Sequence, residues 1–258
     1  MVMIIGHRGY SAKFDENTLP AFKEALQAGA VGVELDVHVS ADGQLVVVHD
    51  DNLQRVTGVD KLVSTSSWQE IEALRTHRGE RIPSLEQVLD LIYKEGGGMV
   101  LIELKAREAA PQVVDLIESQ VNSGLFSYEE LLVISFDVEA FESVRKLSSK
   151  VKCGATIADS SGVKMPDGVK MFPFDPNNPL PSTQKIIEHW KPDYINPSVD
   201  IVDRDWVQVA QAQGVRMNCW TVNTPQQLIK ALDAEVDCII TDQVEPVLQK
   251  IYRQEQGG

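Results

Sequence analysis

The chain has 258 residues, of which 43% are hydrophobic and 24% charged, a composition that supports a sizeable core without disulfides or structural metals. Its formal net charge of −14 argues against nucleic acid and anionic membranes as general partners, although a local site can still bind a small anion. Three cysteines, Cys153, Cys219 and Cys238, lie in strand-like segments without metal-ligand spacing, which indicates buried thiols in a reducing compartment.

Apolar runs of strand length alternate along the chain with segments of helical period, which is the pattern of βα units around a parallel sheet. Eight runs have the near-continuous apolar character of covered strands: 2–5, 31–37, 99–104, 131–136, 151–157, 193–196, 215–220 and 237–241. Amphipathic helices are predicted at 18–30, 84–96, 110–124, 138–149, 182–190, 203–213, 225–235 and 244–253. This order predicts an α/β fold, a single TIM (β/α)₈ barrel over residues 1–258.

Two stretches interrupt the alternation. The segment LVVVHDDN at 45–52 predicts an extra strand, joined to the second strand by a hairpin across SADG. Residues 51–83 then form a small insertion, a lid segment, with one short helix near 68–74. Residues 165–181 hold five prolines and predict an irregular loop, whose apolar residues either pack it down or face an acyl chain: Met171, Phe172 and Phe174.

The apolar N-terminal run is too short for a signal peptide or a membrane span, and no positively charged region precedes it. No amphipathic membrane helix is evident elsewhere in the chain. We therefore expect a cytoplasmic protein without stable membrane association. The acidic surface neither requires nor excludes a dimer, so the oligomeric state is left open.

Charged side chains follow the predicted strands at the end where barrels carry their catalytic groups. Three strands end in such residues: His7 and Arg8, then Glu34 and Asp36, then Glu103 and Lys105. Side chains two residues apart share one face of a strand, so each of the last two pairs points in one direction. Three carboxylates and a lysine are thus predicted to meet at one barrel mouth.

Three carboxylates brought together repel one another, and each is costly to bury as a charge. A hard divalent cation relieves this repulsion, and all-oxygen ligands favour Mg²⁺ or Ca²⁺ over zinc. Glu34, Asp36 and Glu103 are therefore the expected ligands of one divalent cation. The alternative is a structural cluster of ion pairs in which Glu103 and Lys105 tie barrel strands together.

A second histidine, His49, ends the predicted extra strand, where Asp50 can orient it. Two histidines, a hard cation and two fixed positive charges suit phosphoryl transfer, because they supply an acid, a base and charge neutralisation. Taken alone, His49 would be interpreted as a surface histidine after a strand. His38, His77 and His189 lack such neighbours and are interpreted as structural or surface residues.

A series of motifs resembles the glycerophosphodiester phosphodiesterase family. In chain order they are HRGY, ENTLPAF, ELDV, VVVHDDNLQRVTG, IPSLEQVL, ELK, WTVN and TD. Each piece is weak by itself, but the combination spans nearly the whole chain in the right order. The resemblance implies a metal-dependent hydrolase that converts small glycerophosphodiesters to sn-glycerol 3-phosphate and an alcohol.

Carried over residue by residue, the resemblance implies that His7 and His49 are the catalytic acid/base pair. It makes Glu34, Asp36 and Glu103 the ligands of one Mg²⁺ or Ca²⁺, and it assigns phosphate binding to two cations, Arg8 and Lys105. Five further residues are candidates for substrate contact or support: Glu16, Asn17, Ser135, Phe136 and Trp220. For Asn17 the alternative is a bracing role in the turn before helix residue Thr18, and for Trp220 it is simple packing.

Substrates of this family carry a hydroxyl next to the ester oxygen, which implies attack by that hydroxyl through a cyclic phosphate, with direct attack by water as the alternative. One rival function is a lysophospholipase D or a cyclising lyase acting on lipids. Another is a catalytically silent barrel that binds a phosphate ligand, and a third is a metal-dependent lyase or isomerase on the same fold. The paired histidines and the complete carboxylate set favour the hydrolase. The headgroup and the histidine that acts first are left open.

Overall fold

The computed structural model describes residues 2–159 and 168–256. Its strands are β1 (Met3–His7), β2 (Gly32–Val39), β3 (Leu45–Val47), β4 (Met99–Leu104), β5 (Leu131–Ser135), β6 (Lys152–Ile157), β7 (Tyr194–Pro197), β8 (Arg216–Cys219) and β9 (Cys238–Thr241). Its α-helices are α1 (Leu19–Gln27), α2 (Gln54–Thr57), α3 (Trp68–Glu72), α4 (Leu85–Lys94), α5 (Ala110–Asn122), α6 (Val138–Leu147), α7 (Pro179–Trp190), α8 (Arg204–Ala212), α9 (Pro225–Asp233) and α10 (Val244–Gln256).

Eight parallel strands close into a barrel with helices between them. β1 pairs with both β2 and β9, and the remaining strands pair in the order β2–β4–β5–β6–β7–β8–β9. Because the ring has no free edge, every barrel strand has two neighbours and the sheet exposes no unpaired ladder. The TIM barrel predicted from the periodicity is therefore confirmed.

The side chains of the strands alternate between the barrel interior and the helical layer. The outward residues form one large apolar core with the helices, which includes Val33, Leu35, Val100, Ile102 and Phe22 of α1. The inward residues form a second, smaller cluster made of Ile5, Leu101, Leu132, Ile134, Tyr194, Cys238 and Ile240. All three cysteines are buried free thiols, as their strand-like context predicted.

The extra strand is shorter than predicted and lies outside the barrel. β3 is antiparallel to β2, with Val37 opposite Val47, while Val37 also pairs with Leu104 of β4. β3 must therefore occupy the other edge of β2, which β1 leaves free because their pairing stops at Glu34. The strand predicted to run over 45–52 ends at Val47; the backbone N–H of Val48 still donates to the carbonyl of Asp36 at 3.0 Å, and up to Glu34 that side of β2 pairs with β1 instead. His49 accordingly lies in a loop and not on a strand.

The insertion of residues 51–83 contains α2, a 3₁₀ turn at Val63–Thr65 and α3. It has its own small core, in which Leu53, Val63 and Ile71 pack with Val46 and Val48 after the hairpin. The short helix predicted near 68–74 is α3, and α2 was not predicted. Within the described part of the chain, every helix is too short or too polar to span a bilayer.

The proline-rich loop was predicted over 165–181; residues 165–167 lie outside the described residues. Helix α7 begins at Pro179 rather than 182, because proline is well tolerated in the first turn, where its missing N–H costs no hydrogen bond. Phe172 packs edge-on against Phe141 and Trp190, each at 5.5 Å between ring centroids. Phe174 stacks on Trp206 at 5.0 Å. These aromatic rings pack the segment down onto the helical layer, as the packing interpretation predicted.

The loop after β1 passes unusually close to helix α1. Gly9 has φ +81°, and a Cβ atom there would lie 2.5 Å from the carbonyl carbon of Ala21. The backbone N–H of Tyr10 donates to the carbonyl of Ala21 at 2.8 Å, which fixes this approach. The glycines flanking His7 and Arg8 therefore admit the protein's own helix.

Replacement of Gly9 by alanine is expected to lower the free energy of unfolding by about 3 kcal/mol, since backbone atoms cannot move aside. Gly79→Ala is the matched control, because Gly79 also has a positive φ but has no atom within 4 Å of the added Cβ. That control should cost only about 1 kcal/mol, the ordinary penalty of a left-handed residue. Denaturant unfolding of both variants measures the difference, and equal losses would contradict the close-approach argument.

Candidate active site

A cavity of about 440 Å³ opens at the C-terminal ends of the barrel strands. Its lining includes most of the residues predicted from the strand ends: His7, Arg8, Glu34, His49, Glu103, Lys105, Ser135, Phe136 and Trp220. Asp36, Glu16 and Asn17 do not line the cavity, but each contacts a residue that does or an adjacent carboxylate. The structure thus gathers all twelve predicted site residues around one pocket.

The carboxylates meet because of strand register. Glu34 is the β2 partner of His7 in β1, and Asp36 is the β2 partner of Glu103 in β4. Oxygens of Glu34, Asp36 and Glu103 lie within 4.8 Å of one another. These groups could hold a metal ion, and their oxygen-only donor set suits a hard cation such as Mg²⁺ or Ca²⁺.

The carboxylates of this cluster are buried close together, so their negative charges are costly without a compensating cation. Glu34 and Asp36 are 2% and 1% exposed. Burial and the neighbouring Asp36 charge raise the pKa of Glu34 to about 8. Burial alone would raise the pKa of Asp36 as well, but Lys105 and Arg8 outweigh it and hold that pKa below its usual range. A divalent cation fits this cluster because it would compensate the charge that forces Glu34 to keep its proton.

Two cationic side chains flank the carboxylates. Lys105 Nζ lies 2.7 Å from Glu103 Oε1 and 3.5 Å from Asp36 Oδ1. Despite burial, these carboxylates raise the pKa of Lys105 to about 12, so it stays charged. The backbone N–H of Arg8 donates to Glu34 Oε2 at 3.1 Å. Two cations against three carboxylates leave the cluster one positive charge short unless Glu34 keeps its proton.

One donor of Arg8 is left over. Its Nε lies 3.2 Å from Asp36 Oδ2 but makes no hydrogen bond within the described residues, although it is buried. An unpaired buried donor is costly, and a native protein normally satisfies it. An oxygen of a bound anion is a suitable partner for such a guanidinium, because the group presents several N–H donors in one plane.

Each of the two histidines is oriented by a carboxylate. His7 Nδ1 donates to Asp242 Oδ1 at 2.7 Å, and that carboxylate also accepts from Ser11 Oγ at 2.8 Å and Asn223 Nδ2 at 2.5 Å. His49 Nδ1 donates to Asp50 Oδ1 at 2.6 Å. These contacts fix the tautomers and leave Nε2 of both rings for proton transfer.

The surroundings shift the two imidazoles in opposite directions. Burial alone would lower the pKa of His7, but the hydrogen bond with Asp242 and the charge of Glu34 raise it above its ordinary value. Burial lowers the pKa of His49, and although Asp36 and Asp50 oppose this, Lys105 and Arg8 add to it. A histidine with a lowered pKa is neutral near pH 7 and can accept a proton.

Asn17 acts on the carboxylate cluster and not on the cavity. Its Nδ2 donates to Asp36 Oδ2 at 2.8 Å, and its Oδ1 accepts from the Asp36 backbone N–H at 3.3 Å. The backbone N–H of Asn17 donates to the carbonyl of Arg8 at 3.0 Å, and the residue has φ +57°, a conformation that asparagine tolerates better than most residues. Asn17 therefore braces both the turn and the buried carboxylate.

The opposite wall of the cavity is apolar and aromatic. Phe136 and Trp220 meet edge to face with their ring centroids 5.3 Å apart. The indole N–H of Trp220 donates to the carbonyl of Asn196 at 2.7 Å, which fixes the ring. Ser135 Oγ donates to the carbonyl of Leu104 at 3.4 Å and accepts from the backbone N–H of Asp137 at 3.0 Å, so its hydroxyl is engaged in the loop.

Three residues near the site carry contacts that the sequence did not predict. Asp242 follows the last strand, and its strand-end position was the available signal. His38 lines the cavity and its Nε2 donates to the carbonyl of His49 at 3.0 Å; extending the period of two from Glu34 and Asp36 would have placed it on the same face. Arg55 lies in the insertion and contacts Glu16 and Asp50; it falls within the motif VVVHDDNLQRVTG, but the motif alone gave it no role.

Comparisons with known proteins identify relatives of this chain. A family model described as the glycerophosphoryl diester phosphodiesterase family matches residues 7–246. A glycerophosphodiester phosphodiesterase of Caldanaerobacter subterraneus subsp. tengcongensis is 28% identical, covering 97% of this chain and 98% of that protein. One from Bacillus altitudinis is 30% identical, covering 94% and 95%. The crystal structure of glycerophosphodiester phosphodiesterase from Thermotoga maritima is 29% identical, with a TM-score of 0.76 over 97% of this chain and 98% of that chain.

Proposed function

The chain belongs to the glycerophosphoryl diester phosphodiesterase family, and we propose that it hydrolyses small glycerophosphodiesters to sn-glycerol 3-phosphate and an alcohol in a reaction that depends on a divalent cation. The observation that carries the proposal is the gathering of three carboxylates, two cations and two carboxylate-bound histidines around one cavity. The pair of oriented histidines distinguishes the site from that of a phosphate-binding protein, which needs no acid and base.

The cation would be held by Glu34, Asp36 and Glu103, whose oxygens are close enough to share one ion. A bound divalent cation would neutralise charge on the phosphoryl oxygens. Arg8 and Lys105 both line the cavity and add fixed positive charge, so we assign phosphate binding to these two side chains. A phosphodiester carries one negative charge, so these groups bind the substrate and then stabilise the transition state.

The proton transfers are assigned to Nε2 of the two histidines. We place His49 first as the base, because its lowered pKa leaves it neutral near pH 7. It takes the proton of the attacking hydroxyl as the new P–O bond forms. His7 gives a proton to the leaving alcohol oxygen as the ester P–O bond breaks. In the cyclic route the attacking group is the substrate's own neighbouring hydroxyl, and water then opens the ring with the two roles exchanged.

The rest of the cavity suits the alcohol portion of the substrate. Phe136 and Trp220 offer rigid apolar surface there. A long acyl chain finds less support, because Phe172 and Phe174 are engaged with helix residues and do not form an open apolar channel. The water-soluble diester is therefore the preferred substrate class over a lysolipid. We further propose that residues 1–258 act as one catalytic barrel, with the insertion of residues 51–83 at its mouth.

Metal removal tests the proposal directly. Chelator-treated protein should release no sn-glycerol 3-phosphate from glycerophosphocholine, and Mg²⁺ or Ca²⁺ should restore release by at least about 100-fold, since the cation supplies several kcal/mol of charge stabilisation. Phosphorus NMR during the reaction would reveal a cyclic phosphate if that route is used. Failure of every metal with several headgroups and with lysolipids would overturn the proposal in favour of a phosphate-binding barrel.

A further inference from the structure

The insertion of residues 51–83 contacts two carboxylates beside the site through Arg55, and Asp51 at its start lines the cavity. Arg55 lies in the four-residue helix α2, does not line the cavity, and uses both ends of its guanidinium. Its Nη1 and Nη2 donate to Glu16 at 3.0 and 2.7 Å, and its Nε donates to Asp50 Oδ2. These two carboxylates belong to different segments, one after β1 and one after β3.

Each of these carboxylates also accepts a hydrogen bond from a residue of the site. Glu16 Oε1 also accepts from Arg8 Nη1 at 3.0 Å. Asp50 Oδ1 accepts from His49 Nδ1 at 2.6 Å. A continuous hydrogen-bonded chain thus runs from the candidate phosphate-binding arginine to the candidate base, and Arg55 is its centre.

We propose that Arg55 is a positioning residue that holds Arg8 and His49 in their working orientations through Glu16 and Asp50. The inference rests on the proposed phosphodiesterase function and goes beyond it, because it gives the insertion a role in the reaction. Asp50 is shared between an imidazole and a guanidinium, so each of its oxygens has a fixed partner. Glu16 likewise accepts hydrogen bonds from two guanidiniums, those of Arg8 and Arg55. Arg55 therefore neutralises part of the Glu16 charge, and Glu16 holds Arg8 less tightly.

Contacts within the insertion fix the main chain around Arg55. Leu53 and Val63 anchor both sides of α2 in the small core, and Gly58 ends the helix in a left-handed conformation, φ +77°. The carbonyl of Arg55 accepts from His77 Nε2 at 2.9 Å, and the backbone N–H of His77 donates to the carbonyl of Val56. The main chain on either side of Arg55 is therefore tied to the second half of the insertion.

Stability alone gives little reason for this arrangement. The side chain of Arg55 is 48% exposed, and exposed ion pairs contribute little to folding. The geometry, by contrast, is specific: a planar fork spans two carboxylates, which the single ammonium of a lysine cannot reproduce. Loss of Arg55 should leave Glu16 free to draw Arg8 away from phosphate, and it should leave Asp50 free to turn away from His49.

The test compares Arg55→Gln and Arg55→Lys with the wild type in cation-saturated glycerophosphocholine hydrolysis. We expect kcat to fall about 100-fold in both, the usual consequence of misplacing reacting groups by about an ångström, while Tm changes little. Arg81→Gln is the matched control, because Arg81 lies in the same insertion with 63% of its side chain exposed. This substitution should leave kcat and KM unchanged.

A second measurement separates positioning from folding. Arg55→Gln should also raise KM, because Glu16 then draws Arg8 away from phosphate. Adding Glu16→Gln removes the competing carboxylate, so the double variant should recover part of this KM rise but not the lost kcat. Millimolar ethylguanidinium should restore activity to Arg55→Ala. Unchanged kcat in Arg55→Gln, or a loss that simply follows a fall in Tm and is cured by lysine, would overturn the inference. Because wild-type turnover is the reference in every case, an inactive wild type would instead refute the phosphodiesterase proposal.

Discussion

The His49→Ala variant is expected to lose about 1,000-fold in kcat, equivalent to ~4 kcal/mol of transition-state stabilisation. The ring of His49 is the group assigned to take the first proton, and its Nδ1 is committed to Asp50 at 2.6 Å. Alanine removes the acceptor nitrogen to which the proposal assigns this proton transfer. Steady-state hydrolysis of glycerophosphocholine at saturating cation measures the loss.

The same substitution should cost little stability. The side chain of His49 is 31% exposed, and the contact that ties its main chain to His38 uses the carbonyl oxygen, which alanine retains. Tm is therefore expected to stay close to that of the wild type, and KM should change little because Arg8 and Lys105 remain. His189→Ala, an exposed histidine on α7, is the control. A His49→Ala enzyme within about tenfold of wild-type kcat would refute its role as base.

The Glu34→Gln variant should lose cation-dependent activity by about 1,000-fold, because it removes one of three ligands and the charge that attracts the ion. Glutamine keeps the shape and a weaker oxygen donor, so the cavity should remain formed. Titration of chelator-treated protein with Mg²⁺, followed by thermal shift, measures the affinity: the wild type should be stabilised by the cation and the variant should not. Glu188→Gln, at an exposed position on α7, serves as the control.

Without metal, the Glu34→Gln variant should be more stable than the wild type at high pH. The pKa of Glu34 is raised from 4.5 to about 8 by burial and by Asp36, so the folded protein holds a proton there that the unfolded chain has lost. This contribution to stability is complete below pH 4.5 and disappears as the pH rises through about 8. Glutamine mimics the protonated form at every pH. Metal-free Glu34→Gln should therefore melt above the metal-free wild type at pH 9, and equal melting temperatures there would contradict the charge imbalance.

The fold could be predicted because its signals are local. Strand-length apolar runs and helical periods repeat eight times, and each unit can be identified without its neighbours. The carboxylate cluster followed from the same source. Once Glu34, Asp36 and Glu103 are placed at the ends of adjacent parallel strands, barrel closure brings them together, and the observed register confirms that Asp36 and Glu103 are partners.

The errors arose where a boundary depends on a partner elsewhere in the chain. The strand at 45–52 was drawn too long, because its end is set by how far β2 extends beyond β1, which the apolar run LVVVHDDN does not encode. Helix α7 was started three residues too late, because prolines that would break a helix interior are acceptable in its first turn. His38 was set aside, although a strand continuing past Asp36 places it on the cavity side.

The sequence by itself determined the barrel, the family resemblance and the identity of the groups at the strand ends. The barrel follows from the periodicity of apolar residues, and the other two follow from short motifs. The sequence also predicted that Asp50 orients His49, but only the tertiary structure decided which carboxylate orients His7 and how the insertion joins the site. Asp242 reaches His7 across 235 residues, and Arg55 reaches Glu16 across 39. Such contacts depend on barrel closure and on the packing of a loop with its own small core, and neither leaves a local pattern in the chain.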